Sequence, residues 1–310
     1  MDIIQANTAS IPAIFDDLGD NTKRNYIASW KDFCAFIEAG EPIDGVRKLI
    51  EAGQGGANFM VSRYRKHLLD SNVSPSTAKT RLGGICGIIK RCRRFGLCNF
   101  SLDIESINTR AMSGVQDNPI SGYSSGQAND VEAIFRKINT DTPFGARDRA
   151  IIELLYNPSL RRMECANLDV ADVDMLNSRL SITGKARHGA EWVPMPQSAR
   201  TAILQWLNYR GNEPGPLFVR MDVAAKGLQR LTTQSIYNIV LDRASAVGIT
   251  AWPHALRHTG ITDVAAATNG DIVTAATYAR HKNTNTTMVY INNLADKARS
   301  ASNLIDRLRA

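Results

Sequence analysis

A segment rich in Gly, Ser, Pro and Asn interrupts the chain near its middle and constrains its fold more than any other feature. Residues 113–128 (SGVQDNPISGYSSGQA) show no hydrophobic periodicity, which is typical of a linker between folded units. The chain has 310 residues, whereas most single domains have about 100–150. We therefore predict one domain at residues 1–112 and a second at residues 129–310, joined by this linker.

The part before the linker carries two clear helical patterns. In residues 20–38, apolar side chains recur at intervals of three and four from Tyr26 to Ile37, as expected for a helix with one buried face. Residues 74–96 open with a Ser-Pro pair, which favours a helix start, and keep apolar side chains on one side. Residues 51–58 (EAGQGGAN) show neither pattern and predict a loop.

The part after the linker combines helices with one β-hairpin. A helical pattern covers residues 144–157, and another begins at residues 231–248 and is followed by more helix. Between them, LSIT at 180–183 and WVPMP at 192–196 flank a Gly-bounded polar loop, which indicates two antiparallel strands. The sequence therefore predicts a mainly α fold with a small antiparallel β-sheet in the second domain.

The charge balance limits the classes of partner. The chain has 37 Lys and Arg against 30 Asp and Glu, a formal net charge of +7, which favours nucleic acid or an anionic membrane surface. No stretch approaches the roughly 18 consecutive apolar residues of a membrane span, and the opening MDIIQANTAS lacks the basic start of a signal peptide. We therefore expect a cytoplasmic protein that binds nucleic acid and no membrane.

Six basic side chains are concentrated in the second predicted helix. They are Lys79, Arg81, Lys90, Arg91, Arg93 and Arg94, while acidic residues are scattered along the chain. This cluster predicts a stripe that faces DNA phosphates. The alternative is an ordinary solvated helix face.

The second domain contains the residue types that phosphodiester chemistry requires. Such chemistry needs cations for the non-bridging oxygens, an acid for the leaving oxygen and a nucleophile. In PHALRH, His254 and Arg257 lie three residues apart, so one helical turn places them on the same face. The segment lacks the glutamate of a zinc-binding H-E-x-x-H motif. Taken alone, this pair is more typical of an unspecialised helix surface.

The motifs of the second domain, read in order, resemble the tyrosine recombinase and phage integrase superfamily of DNA strand-transfer enzymes. That family has an arginine in T-G-L-R-x-S-E-L, a lysine in a G-K hairpin turn, an H-x-L-R-H helix and a G-H…T-T-x-x-Y ending. The matching segments here are NPSLRRMECANL, ITGKARHG, PHALRH and ARHKNTNTTMVY. They place the family's catalytic positions at Arg161, Lys185, His254, Arg257, His281 and Tyr290. The resemblance is strong over residues 125–310 and weak over residues 20–100.

This resemblance implies an architecture and an activity. The fold would be an N-terminal helical core-binding domain and a C-terminal catalytic domain that form a clamp around DNA. The activity would be site-specific recombination of double-stranded DNA through a 3′-phosphotyrosyl intermediate, without metal, cofactor or ATP. It implies assembly as a homotetramer in the synapse, and a place at the bacterial nucleoid or in a phage-infected cell, in association with a mobile element.

The resemblance also implies a role for each residue. Tyr290 would attack the scissile phosphate and release a 5′-hydroxyl, and Lys185 would protonate that leaving oxygen. Arg161 and Arg257 would clamp the non-bridging oxygens, since planar guanidinium groups match phosphate geometry. The remaining roles are hydrogen bonding to the phosphate by His254 and His281, proton transfer near Tyr290 by His254, and support of Arg161 by Glu164. Arg162 competes with Arg161 for its role, and His188 is a weaker candidate beside Lys185.

The sequence departs from the family pattern at two points. Pro158-Ser159 replaces the usual Thr-Gly, and Arg280 replaces the glycine that usually precedes His281. We expect Pro158 to shift the presentation of Arg161, and Arg280 to add a side chain close to the phosphate.

Two other functions remain open at the level of the sequence. One is a DNA-binding accessory or regulatory protein of recombinase ancestry that does not cleave, and the other is a type IB topoisomerase. The apolar stripe of residues 294–310 predicts a tail that packs either on a neighbouring protomer or on the protomer to which it belongs.

Overall fold

A computed structural model describes residues 13–16, 18–71, 73–103, 128–183, 189–221 and 227–281. The chain forms two compact units, residues 1–117 and residues 118–310. The predicted linker lies outside the described residues, apart from Ala128 at its end. The boundaries at residues 112 and 129 therefore stay predictions.

The first unit is helical over its described residues. Its helices are α1 (Ala13–Asp16), α2 (Asp20–Phe36), α3 (Pro42–Glu51), α4 (Gly53–Asp70) and α5 (Pro75–Arg94). The two predicted helices are confirmed as α2 and α5. The backbone N–H of Thr77 donates to Ser74 Oγ at 3.1 Å, so Ser74 caps α5 as its Ser-Pro start indicates.

The loop predicted at residues 51–58 is wrong. Helix α3 ends at Glu51 and α4 begins at Gly53, so Ala52 alone separates them. In α4, the side chains of Ala57, Val61 and Leu68 are fully buried at helical spacing. Burial of this face outweighs the poor helix propensity of the glycines, because tertiary packing supplies most helix stability in proteins.

Helices α2 and α5 pack closely through small residues. Trp30 Nε1–H donates to the carbonyl oxygen of Gly84 at 3.3 Å. A Cβ atom at Gly84 would lie only 2.8 Å from both Cβ and Oγ of Ser29. Nearby, Tyr64 donates to the Asp32 carboxylate, which also pairs with Arg81 at 3.1 Å. The absent side chain at Gly84 therefore allows the two helices to meet.

The second unit combines helices with a three-stranded sheet. Its helices are α6 (Ala128–Lys137), α7 (Pro143–Tyr156), α8 (Arg162–Asn167), α9 (Gln197–Arg210), α10 (Thr233–Ser245), α11 (Pro253–Ala267) and α12 (Ile272–Ala279). Its strands are β1 (Val173–Asp174), β2 (Arg179–Thr183) and β3 (Ala190–Pro194), in antiparallel order β1-β2-β3. Leu180 pairs with Val193 and Thr183 pairs with Ala190, which is the predicted hairpin. The predicted fold class, mainly α with a small antiparallel sheet, is confirmed.

Helix α7 forms the centre of the second unit. Its apolar side chains from Ala150 to Leu155 are fully buried, and α9, α10 and α11 pack against it. Asp148, also buried, pairs with Arg147 at 2.8 Å and with Arg243 of α10 at 2.6 Å. A buried carboxylate is tolerated because both cations neutralise it. Within the described ranges, no helix is long and apolar enough to cross a bilayer.

The close approach of α2 and α5 predicts opposite effects for two neighbouring glycines. Gly84→Ala forces a methyl group against Ser29 and should lower the free energy of unfolding by about 1–3 kcal/mol. Gly83→Ala meets no atom within 4 Å and should raise it by about 0.5–1 kcal/mol through helix propensity. Urea denaturation of both variants beside the wild type measures the difference. Equal effects of the two substitutions would contradict the packing described here.

Candidate active site

A pocket of about 800 Å³ in the second unit collects most of the predicted catalytic residues. Arg161, His254, Arg257 and His281 all line it. They come from the start of α8, the first two turns of α11 and the residue pair that follows α12. Lys185, Tyr290 and His188 lie outside the described residues. Thr183, the last residue of β2, also lines the pocket.

Arg161 is held by Glu164 at the start of α8. Its backbone N–H donates to Glu164 Oε2 at 2.8 Å, and its Nη1 donates to Oε1 at 2.7 Å. The Glu164 side chain is 4% exposed, whereas that of Arg161 is 45% exposed and lines the pocket. A buried carboxylate thus fixes an arginine that remains accessible from the pocket. This contact matches the support predicted for Arg161.

Arg162, the competitor of Arg161, is engaged elsewhere. Its guanidinium lies 5.7 Å from the ring centroid of Tyr237 in α10, at the range of a cation–π contact. It also lines the pocket, whereas the hydrogen bonds of Glu164 at this corner go to Arg161. The position that the motif register selects is therefore also the one that Glu164 holds.

Arg257 is buried at the base of the site, with 2% of its surface exposed. Its guanidinium donates to the carbonyl oxygens of Ser159 and Ala279, and Nη2 lies 3.4 Å from His281 Nε2. These contacts join α11 to the loop before α8 and to the end of α12. A buried charge of this kind is stable only when hydrogen bonds replace its lost hydration.

Burial and nearby arginines hold the pocket histidines in the neutral form at pH 7. Burial and the charges of Arg257 and Arg161 lower the pKa of His281 to about 4. The same causes lower the pKa of His254, which also lines the pocket. A neutral imidazole has one N–H donor and one acceptor nitrogen, so it can donate to a phosphate or accept a proton.

Glu164 stays ionised in the interior. Burial alone would raise the pKa of its carboxyl, but the charge of Arg280 and the hydrogen bonds and charge of Arg161 hold this pKa below its ordinary value. A carboxylate flanked by two arginines therefore persists at neutral pH.

Both departures from the family pattern fall where the backbone is left-handed. Ser159 has φ 58° and Arg280 has φ 54°. This region costs a non-glycine residue about 1–2 kcal/mol, which explains why glycine suits both positions. Here side-chain hydrogen bonds accompany the strained backbone, since Ser159 Oγ donates to the Tyr156 carbonyl oxygen at 2.8 Å.

Contrary to our expectation from the sequence, the side chain of Arg280 does not extend into the pocket. Its side chain is 7% exposed and is directed into the protein, where Nη2 donates to Glu164 Oε2 at 2.8 Å. The pairing with a buried carboxylate explains this direction, because an isolated buried guanidinium would be costly. Arg280 thus contributes charge behind the site.

The predicted basic stripe is only partly formed. Lys79, Lys90, Arg93 and Arg94 are exposed and fall on one side of α5 at helical spacing. Arg81 instead pairs with Asp32, and Arg91 Nε donates to the Ile14 carbonyl oxygen at 3.0 Å. The first unit therefore presents four of the six predicted cations on a common face.

Several pocket residues were not predicted from the sequence. Asn167, Tyr237 and Trp252 line the pocket beside the predicted residues. Trp252 directly precedes the PHALRH segment, so its position next to a motif was the only available signal. Among the described residues, no group of three His, Cys, Asp or Glu side chains is placed to hold a metal ion.

The pocket combines Arg161 and Arg257 with two neutral histidines, an arrangement suited to a phosphate group with developing negative charge. Comparisons with known proteins agree with this chemistry. Residues 127–297 match the model of the phage integrase family. A tyrosine recombinase of Synechocystis is 34% identical over 284 residues, which cover 90% of this chain and 88% of that protein. The chain therefore belongs to the phage integrase family of tyrosine recombinases, and the resemblance found in the motifs is confirmed.

Further relatives extend the match over most of the chain. A tyrosine recombinase of Synechococcus elongatus is 29% identical over 286 residues, covering 89% of this chain and 85% of that protein. The Tn1549 transposon integrase, in complex with transposon right end DNA, superposes with a TM-score of 0.67 at 14% identity, covering 97% of this chain and 99% of that one. XerH recombinase bound to palindromic difH substrate gives a TM-score of 0.59 at 19% identity, covering 80% and 72%. At these identities the solved structures show a shared fold.

The histidines of α11 make stability depend on pH. Burial and the neighbouring His254 lower the pKa of the buried His258 to about 4, against about 6.5 in an unfolded chain. The unfolded state therefore takes up more protons between these values, and stability falls as pH drops from about 6.5 towards 4. His258→Gln should remove about 1–3 kcal/mol of this acid-induced loss.

Chemical denaturation of wild type and His258→Gln at pH 7, 5.5 and 4.5 checks this prediction. His281 titrates in the same direction and is unchanged in both proteins, so the difference between the two pH slopes isolates His258. Parallel slopes would contradict the prediction.

Proposed function

We propose that this chain is a site-specific recombinase that cleaves and rejoins double-stranded DNA through a 3′-phosphotyrosyl intermediate on Tyr290. One observation carries this proposal. Arg161, the neighbouring His254 and Arg257, and His281 come from three separate segments of the sequence, yet they line one pocket. The family order of motifs and the geometry of the pocket support the same chemistry.

The pocket residues fit the successive needs of the reaction. Arg161 and Arg257 stabilise the negative charge on the non-bridging oxygens as the phosphorus becomes five-coordinate. Neutral His254 and His281 donate hydrogen bonds to these oxygens, and His254 is able to take the proton of the Tyr290 hydroxyl. Because the arginines carry the positive charge, the histidines serve as donors without needing to be protonated.

Strand cleavage is a transfer of the phosphoryl group from the 5′-oxygen to Tyr290. The Tyr290 oxygen forms a bond to phosphorus while the bond to the 5′-oxygen breaks, and Lys185 protonates that leaving oxygen. The phosphotyrosyl ester retains the energy of the phosphodiester, so another 5′-hydroxyl reverses the step without ATP. The roles of Tyr290 and Lys185 come from the family motifs, since both lie outside the described residues.

The remaining parts of the chain are proposed to serve DNA binding and assembly. Residues 1–112 would act as the core-binding domain, with Lys79, Lys90, Arg93 and Arg94 against the phosphate backbone. Residues 129–310 would act as the catalytic domain, and four protomers would assemble in the synapse. The tail at residues 294–310 would pack on a neighbouring protomer or on the protomer to which it belongs. Such a protein works in the cytoplasm, where its DNA is.

Covalent trapping tests the proposed chemistry directly. Wild type, Tyr290→Phe and Tyr209→Phe are incubated with nicked duplexes taken from DNA flanking the gene, with and without EDTA, and then denatured. Tyr209 is exposed on α9 and serves as the control, so we expect a DNA adduct with wild type and with Tyr209→Phe but none with Tyr290→Phe.

The outcomes separate the alternatives. Tight binding without an adduct would favour a DNA-binding accessory protein, and relaxation of supercoils without exchange products would favour a type IB topoisomerase. Loss of the adduct in EDTA alone would contradict the proposed metal-free reaction.

The salt dependence of DNA binding tests the basic face of α5. Replacing Lys79, Lys90 and Arg94 together by Gln should flatten the slope of log affinity against log salt by about 3, since each phosphate contact contributes about 0.9. Arg81→Gln should leave the slope nearly unchanged, because Arg81 pairs with Asp32. Fluorescence anisotropy over a salt series gives both slopes, and equal changes would refute the assignment of this face.

A further inference from the structure

We propose that Arg280, which stands where the family usually has glycine, is a positioning residue for strand cleavage. Through Glu164 and the carbonyl groups of the loop before α8, it would hold Arg161 and Arg257 in the geometry that binds the scissile phosphate. This inference rests on the proposed recombinase function.

The contacts of Arg280 converge on the loop that precedes Arg161. Its Nη1 donates to the Pro158 carbonyl oxygen at 3.2 Å, and its Nη2 donates to the Ser159 carbonyl oxygen at 3.2 Å. The two positions that depart from the family pattern are therefore in direct contact. A glycine at position 280 could make none of these side-chain contacts.

Glu164 connects Arg280 to the pocket. Its Oε2 accepts from Arg280 Nη2 and from the backbone N–H of Arg161, each at 2.8 Å, while Oε1 accepts from Arg161 Nη1 at 2.7 Å. The carboxylate is thus fixed from two sides. Arg161 also donates through Nη2 to the Arg280 carbonyl oxygen at 3.3 Å. Arg280 therefore holds Arg161 directly through its main chain and indirectly, through Glu164, by its side chain.

The distribution of charge has a consequence for the phosphate. One carboxylate faces two guanidinium groups, so this cluster of three side chains retains a net positive charge next to the pocket. Without Arg280, Glu164 would neutralise Arg161 alone and draw its guanidinium more strongly inward. Arg280 therefore leaves Arg161 with more charge available to a phosphate oxygen.

The same loop also positions the second arginine. The Ser159 carbonyl oxygen accepts from Arg257 as well as from Arg280 Nη2. Removal of Arg280 would loosen a carbonyl group that orients Arg257, and small displacements of catalytic groups lower rates strongly. Both proposed phosphate ligands thus depend on one buried side chain outside the pocket.

A glycine variant separates positioning from folding. Arg280 has φ 54°, and Arg280→Gly relieves this left-handed strain while it removes the side chain. Arg243→Gln serves as the matched control, because it also breaks an ion pair to a buried carboxylate of this unit, Asp148, away from the pocket. Arg280→Lys restores a charge near Glu164 but lacks the planar fork that contacts both carbonyl groups.

The experiment measures single-turnover formation of the DNA adduct at saturating DNA, the affinity for the same duplex and the melting temperature. We expect Arg280→Gly to cleave about 100-fold more slowly with affinity within about threefold of wild type. Arg280→Lys should be intermediate, and Arg243→Gln should melt earlier but cleave at the wild-type rate.

The outcomes distinguish this inference from the proposed function. An adduct that forms with wild type and equally fast with Arg280→Gly overturns the inference alone. Equal rate losses in Arg280→Gly and Arg243→Gln also overturn it, because they indicate a general effect of stability. If Arg280→Gly does not fold, Arg280→Met at the same buried position provides the comparison. Absence of an adduct with wild type overturns both proposals.

Discussion

The buried guanidinium of Arg257 is the interaction on which the site depends. It bonds to carbonyl oxygens that follow α7 and that end α12, and so it fixes three segments of chain around one charge. Its burial would be prohibitive without these acceptors. One turn further along α11, a Cβ atom at Gly260 would lie 2.1 Å from the Tyr156 carbonyl oxygen, so only glycine lets the loop come this close. The arginine and the glycine together hold α11 against the loop that follows α7.

This constraint also accounts for the electrostatics. Burial and cations held at fixed positions lower the pKa of the nearby histidines, and the cations keep Glu164 ionised. In this site the guanidinium groups therefore supply permanent positive charge, and the neutral imidazoles supply hydrogen bonds. Electrostatic preorganisation of this kind needs no rearrangement when negative charge develops.

The sequence predicted the elements whose pattern is local. Helices α2 and α5 and the β2–β3 pair follow from periodicity and turn residues, and the motif order named four residues that the structure brings together in one pocket. Long-range contacts could not be predicted in this way. The helix at Gly53–Asp70 forms because its apolar face is covered by other helices, and Arg280 turns inward because Glu164, 116 positions earlier, receives it. Likewise, the pairing of Arg81 with Asp32 joins separate helices, and no local pattern reports it.

The left-handed residue at the end of α12 has a consequence for how this sequence can change. Glycine at that position requires nothing of the rest of the chain, whereas Arg280 requires a buried carboxylate and two carbonyl groups to be in place. Exchange of Glu164 for a neutral residue would leave the buried Arg280 without its carboxylate partner, and loss of Arg280 would remove one of the two arginines that neutralise Glu164. Arginine at position 280 is therefore expected only in relatives that keep the carboxylate, which the family motif carries together with glycine as well.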